Sequence, residues 1–340
     1  MNENIILIDW FAFSAKSLND PQALIDSLGL GGIRFTDLNG HYGYKQAKYY
    51  GGIWVLYDGR EDMGVCFEMS GQGCRQYETC AGLPLSDFVQ IVASNEIYHI
   101  TRLDVAYDDI DHEGDGLLNV SKIDKLARAD LYCSKLRSKS GTWSGKHDED
   151  SNKPSPLAYS VYFGSATSNL RIRIYDKSLE RGGLGYHWTR CELQLRDDAA
   201  YNFIREEGDV GYKYAAVINH YLRFVIPDKH DSNRRRWKSP KWWTDFIGEV
   251  GKISLYTPKG IDYNLSRLEH YIYEQAGNSL YAFVQCVGTQ YFWLKLKERE
   301  QYLNANQREL IAEYNELRKP LRDELHRSWE QRKKSHKEDE

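Results

Sequence analysis

The chain has 340 residues, a formal net charge of −4, 41% hydrophobic and 28% charged residues, the profile of a globular chain of one or two domains rather than a disordered one. No apolar run reaches the ~18–20 residues of a membrane helix, and Met1-Asn2-Glu3-Asn4 lacks the basic start of a signal peptide, so the chain reads as cytoplasmic with no membrane partner. Cys66, Cys74, Cys80, Cys133, Cys191 and Cys286 form no CxxC pair, which excludes a zinc ribbon and a disulfide framework.

Alternating, β-branched and aromatic runs between Gly, Asn and Asp clusters predict strands over Ile5–Ser14, Ile33–Tyr42, Gly52–Tyr57, Gly64–Ser70, Tyr98–Asp108, Leu157–Gly164, Leu170–Tyr175 and Trp188–Leu195. Helices are expected between them. Leu85–Ala93 opens after Pro84, Val120–Tyr132 carries Ile123, Leu126 and Leu131 on one stripe, and Asp197–Glu207 and Val210–Val225 follow. Past Pro227 a polar, basic linker runs to Ser239-Pro240 and helical patterns take over, which divides the chain into a domain over 1–230 and a mainly helical region over 231–340. The stretch from Ala305 to Arg332 mixes both charge signs at helical spacing, with a break expected at Pro320. It reads as a solvated helix, with a partner-binding or homodimer helix as the alternative.

The β-rich part carries a diverged repeat, with halves at about 1–97 and 98–230. Val55-Leu56-Tyr57-Asp58, a turn and Val65-Cys66-Phe67-Glu68-Met69 parallel Arg173-Ile174-Tyr175-Asp176, a turn and Arg190-Cys191-Glu192-Leu193. Each half opens on a strand with an acid, Ile8-Asp9-Trp10 and Leu103-Asp104-Val105. The expected fold is α+β: two antiparallel half-sheets with helices packed on one face, plus the helical C-terminal region.

Alternation sets Arg102, Asp104, Ala106 and Asp108 on one face of their strand, and Arg190, Glu192, Gln194 and Arg196 on one face of another. Asp104 and Glu192 then form either a carboxylate pair for a hard divalent cation, with Asp108 as a third ligand, or ion pairs with Arg102 and Arg190. In a third strand Arg171, Arg173 and Tyr175 share a face, and Lys177 continues the row. A phenol that titrates near ~10 needs such cations to act as a nucleophile on a phosphodiester. A plain structural tyrosine is the competing reading for one of 25 tyrosines. His147 and His187 are isolated and read as exposed or hydrogen-bonded residues.

The net negative charge runs against DNA binding, which draws on Lys and Arg at phosphates. Two local clusters offset it: Arg171, Arg173, Lys177 and Arg181, and the segment Arg234-Arg235-Arg236-Trp237-Lys238, for which a solvated loop is the alternative.

Taken together, Arg102-Leu103-Asp104-Val105-Ala106-Tyr107-Asp108, Arg173-Ile174-Tyr175-Asp176-Lys177 and Arg190-Cys191-Glu192-Leu193-Gln194-Leu195 resemble the replication initiation factor family. That family includes initiators of rolling-circle plasmids and some filamentous phages, and relaxases of conjugative elements. Glu68-Met69-Ser70-Gly71-Gln72-Gly73-Cys74-Arg75 is similar to a stretch frequent in the phage members, and the resemblance spans roughly Ile5 to Arg205. It implies a fold related to the histidine-dependent single-strand nucleases and a tyrosine nucleophile at Tyr175. It also implies a divalent metal, Mg2+ or Mn2+, held by acids, since no His-x-His pair is present. The implied partners are origin DNA and a host helicase and polymerase; the implied reaction is nicking through a 5′-phosphotyrosine, then rejoining. A mobilisation relaxase shares that chemistry, and a non-catalytic nucleic-acid-binding module is the alternative from another class.

Overall fold

Period-two alternation builds the dominant feature, a ten-stranded antiparallel sheet. A computed structural model describes residues 4–81, 83–147, 154–255 and 277–303, with the single positions 272, 308, 311 and 312. The chain divides into two compact units, Met1–Pro258 and Lys259–Glu340.

In the first unit the strands are β1 (Ile5–Ala15), β2 (Thr36–Asn39), β3 (Gln46–Tyr50), β4 (Ile53–Tyr57), β5 (Val65–Ser70), β6 (Tyr98–Asp111), β7 (Tyr132–Ser134), β8 (Lys139–His147), β9 (Pro154–Phe163), β10 (Leu170–Asp176), β11 (His187–Leu195) and β12 (Leu222–Phe224). The helices are α1 (Pro21–Ser27), α2 (Gly71–Cys80), α3 (Leu85–Ser94), α4 (Val120–Arg128), α5 (Lys177–Glu180), α6 (Asp197–Arg205), α7 (Val210–Tyr221) and α8 (Lys241–Val250). The large sheet runs β2-β3-β4-β5-β1-β6-β11-β10-β9-β8, and β7 pairs with β12 apart from it. Counted outward from the central β1–β6 pair, each half has the same order: its first strand lies beside its last, and the others follow in reverse.

One face of the sheet is apolar. Ile6, Phe11, Phe13, Phe67, Leu103, Val105, Tyr107, Ile172, Ile174, Leu193 and Phe163 all lie in a single core with residues of α1, α3, α4, α6, α7 and α8. Helix starts follow the expected chemistry: Asp20, Asn119, Asp176 and Asp209 each accept a backbone N–H of the first turn.

Several elements differ from the expectation. The strand expected over Ile33–Tyr42 shortens to the edge strand β2, whose four residues are all exposed and bury no apolar face. Strands β3 and β8 and helix α2 lacked a clear pattern; α2 carries two glycines, which lower helix propensity. Helix α4 stops at Arg128 because Asp130 takes a left-handed φ of 55°. The last residues expected in the fourth helix form β12.

Residues 231–255, assigned from sequence to a separate region, fold onto the first unit. Trp243, Phe246 and Val250, at helical spacing on α8, are buried. The Phe246 ring lies 5.3 Å from Tyr107, and Trp243 lies 5.1 Å from Phe224. The basic linker before α8 marks a solvated crossing rather than a boundary. The second unit contains α9 (Gly277–Val287) and α10 (Thr289–Lys297), separated by Gly288 at φ 84°. The tail helix expected from Ala305, with Pro320, lies outside the described residues except at 308, 311 and 312.

Phe246→Ala should destabilise the first unit by about 3–5 kcal/mol, because a buried ring is lost between Tyr107 and Trp243. Urea unfolding followed by tryptophan fluorescence measures this; a loss below ~1 kcal/mol would mean that α8 is not part of that core.

Candidate active site

The face opposite the helices is polar, and strand register assembles it. Tyr175 pairs across β11 with Arg190 and on to Asp108; Arg173 with Glu192 and Ala106; Arg171 with Gln194 and Asp104. Because these partners sit directly opposite, their side chains emerge on one face as three short rows. The residues singled out from β6, β10 and β11 are therefore brought together.

Tyr175 is 2% exposed and donates its hydroxyl to Glu192 Oε1 at 2.8 Å. Lys177, also buried, donates from Nζ to the same phenolic oxygen at 3.3 Å and pairs with Glu180. The Lys177 position follows from the turn. Asp176 ends β10 and caps α5 by accepting the Leu179 N–H at 2.8 Å, which folds the chain back so that Lys177 reaches the residue two before it. Arg173 lies over the Tyr175 ring, 3.7 Å from its centroid, and 3.6 Å from Glu192 Oε2. Arg171 stacks on Tyr162 at 4.0 Å.

The acids are held by arginine. Arg190 grips both Asp108 oxygens, at 2.6 and 2.7 Å, and reaches Asp9 at 2.7 Å with its remaining nitrogen. Arg102 grips both Asp104 oxygens, at 2.9 and 2.6 Å. Of the ion pairs left open by the sequence, Arg102–Asp104 is present, whereas Arg190 pairs with Asp108 and Asp9 and Glu192 faces Arg173; Asp108, like Asp104, has both oxygens engaged by a guanidinium. Asp9 was not among the candidate residues. It occupies a β-bulge between Ile8 and Trp10, where β1 carries one residue more than β6. Glycine at 71 leaves room for it, since a Cβ there would sit 2.6 Å from Asp9 Oδ1.

Burial governs the electrostatics. It pushes the Tyr175 phenol well above its ordinary range, and the Glu192 charge adds to this. Asp104 is raised to about 6 by burial, against its bonds to Arg102 and with help from Glu192 and Asp9. Burial and Asp9 also raise Glu192, while Arg173, the Tyr175 hydroxyl and Arg190 oppose the rise. The phenol is therefore protonated at rest, with its hydrogen directed at a carboxylate.

Among the described residues no three His, Cys, Asp or Glu side chains converge as a ligand set. The donor chemistry still fits a hard divalent cation: Asp9, Asp104 and Glu192 are oxygen donors whose charges act on one another.

The other candidates lie elsewhere. His187 Nε2 is 3.0 Å from Asp109, which also accepts the N–H groups of Leu117 and Leu118, so this pair fastens a loop. His147 closes β8, and its side chain lies outside the described residues. Arg181 is exposed just past α5. Arg234, Arg235 and Arg236 form a single 3-10 turn beside β7 and β12, followed by exposed Lys238. Arg236 is paired with Asp231, while Arg234 and Arg235 are exposed.

Comparison with known proteins agrees with this arrangement. The family described as replication initiation factor matches residues 98–301, and the rolling circle replication initiation protein N-terminal domain matches residues 6–93. The N-terminal range ends within α3 and the other begins at β6, so the border between them falls between the two halves of the sheet. NicK of Bacillus subtilis (strain 168), a candidate DNA relaxase, is 29% identical over 275 residues, covering 76% of this chain and 75% of NicK. The solved structure of a rolling circle replication initiator protein from Geobacillus stearothermophilus superimposes with a TM-score of 0.65 at 27% identity, over 75% of this chain and 99% of that one. With more than half of its length matched by one family, the chain belongs to the replication initiation factor family.

Proposed function

We propose that this rolling-circle initiator nicks one strand of origin DNA with Tyr175. The observation that supports this is the phenol donating to buried Glu192 at 2.8 Å with Lys177 Nζ at 3.3 Å, beneath Arg173. Glu192 takes the phenolic proton as Tyr175 Oη attacks phosphorus. An O–P bond forms to the tyrosine and the bond to the 3′ oxygen breaks. That oxygen leaves as a 3′ hydroxyl, with Lys177 as the nearby proton donor, and the 5′ phosphate stays on the enzyme. Arg173 neutralises charge building on the phosphoryl oxygens. The reverse sequence rejoins the strand. Similarity to NicK supports relaxase activity as the second reading, with the same chemistry applied to a mobile element.

A divalent cation, Mg2+ or Mn2+, would be held by two carboxylates, Asp104 and Glu192, with Asp9 and Asp108 as the neighbouring acids of the face, and would supply Lewis-acid stabilisation of the attacked phosphate. Origin duplex would be held apart from this centre by Arg234, Arg235 and Lys238, with Arg171 and Arg181 serving the strand nearer Tyr175. The exposed 3-10 turn at 234–236 presents its arginines to solvent, as phosphate contacts require. A host helicase and polymerase would act on the nicked product.

Incubation with a labelled single-stranded origin oligonucleotide and Mg2+ should give a covalent adduct, which Tyr175→Phe abolishes. Oligonucleotide affinity should stay within about threefold of the parent, under ~0.7 kcal/mol. Retained cleavage would move the role to Tyr162 or Tyr186. Nicking should fall as pH drops through about 6, because Asp104, raised by burial, takes up a proton there. A rate flat from pH 5 to 8 would mean that Asp104 does not act as a carboxylate. Replacing Arg234 and Arg235 by Gln should weaken duplex binding and lower the slope of log K against log salt by about 2, one unit for each phosphate no longer neutralised. An unchanged slope would identify the segment as a solvated loop.

A further inference from the structure

The polar face does not end at the active site. It continues across β6 and β1 onto β5, β4 and β3, where the repeat places positions equivalent to those around Tyr175. Trp54 opposes Glu68, and Glu68 opposes Ala12, as Arg173 opposes Glu192 and Glu192 opposes Ala106. This register moves the repeat one residue from the match read in the sequence, which set Tyr57 against Tyr175. Tyr57 instead packs on the apolar core. Two residues along β4 from Trp54, the position matching Tyr175 holds Leu56, fully buried beside Tyr44 and Ala47. An aliphatic side chain thus stands where the second half has its phenol.

Aromatic rings occupy the rest of this face. The Trp54 ring is 4.5 Å from Tyr49 and 5.0 Å from His41, and His41 is 4.5 Å from Tyr42, forming a continuous row. Tyr42 is 71% exposed and holds a left-handed φ of 53°, a conformation that costs a non-glycine residue roughly 1 kcal/mol or more. Nothing in the core requires that exposed ring. Between the row and the active site lies Trp10, with Arg102 stacked 4.1 Å from its centroid. Glu68, the acid within this face, has His41 Nε2 at 3.6 Å. From β4 to β10 is five strand spacings, about 24 Å.

We infer that the first half of the sheet is a base-stacking track for unpaired nucleotides of the strand that Tyr175 cuts, with Tyr42, Trp54 and Tyr49 as the stacking rings and Trp10 with Arg102 as the link. Rings on a sheet face stack on any base, and an arginine beside them meets the backbone. The proposed nicking at Tyr175 underlies this assignment. Through the track the first half holds the strand so that one phosphate lies at the phenol.

The test measures binding of oligothymidylates of about 5 and about 15 nucleotides, and of a duplex of the longer length, to full chains carrying Tyr175→Phe, alone or with Tyr42→Ala or Trp54→Ala. Each added change should weaken binding of the longer strand by roughly 5- to 100-fold, the effect of one stacked base, and leave duplex binding unaltered. Unchanged affinity for the longer strand, or equal losses for strand and duplex, overturns the track. Tyr42 is exposed, so its loss leaves the core intact even if Trp54→Ala unfolds the sheet. Adduct formation by the parent chain separates the two ideas: an adduct with unmoved affinities sinks the track alone, and lost affinity without any adduct sinks only the nicking.

Discussion

Buried charge on a sheet face has to be answered by charge, and the arrangement around Tyr175 follows from that requirement. An unpaired ion in such a place costs several kcal/mol, and a guanidinium that satisfies two carboxylates at once removes most of that cost. Arg190 is the central instance: held on β11, it joins Asp108 of β6 and Asp9 of β1. Three strands, two of them from the second half and one from the first, are thereby tied on the side away from the apolar core. Arg102 answers the other β6 acid, Asp104, two rows along and within the same strand. The phenol and Glu192 lie in the interior of this lattice, which shields them from water and holds the phenol in its neutral form.

Much of the polar face could be read directly from residue order. In β6, β10 and β11 strict alternation separates Leu103, Val105, Ile172, Ile174 and Leu193 from Asp104, Arg173, Tyr175 and Glu192, and neighbouring strands need only one register to bring the second set together. Which acids pair with arginine and which remain open to other partners depends on side-chain reach, which spacing does not encode. Asp9 escaped because β1 does not alternate strictly. Its core residues are even-numbered at Ile6 and Ile8 and odd-numbered at Phe11 and Phe13. That change of parity is the trace of the bulge, and it is present in the sequence. The C-terminal border was misplaced for a different reason: the charged linker is conspicuous, while the three apolar residues of α8 form only a short stripe.

The duplicated strand order also explains how one chain supports two different surfaces from one plan. Both halves keep the apolar face, because helices cover each of them. On the opposite face nothing comparable constrains the residues, and the halves differ: Leu56 where the other half has Tyr175, Trp54 where it has Arg173. Glu68 and Glu192 remain in equivalent places with different partners, an imidazole in one case and a phenol in the other.

The bulge at Asp9 makes β1 unusually intolerant of changes in length. Elsewhere in a sheet a residue gained or lost near a strand end is absorbed by the adjoining turn. Here, deleting one residue between Ile8 and Phe11 would restore unbroken alternation and keep both apolar pairs inward, so the core would survive. The carboxylate would be lost or turned away from Arg190. The lesion would then be silent in folding and felt only at the charged centre, on a strand that belongs to the half with leucine in place of the phenol.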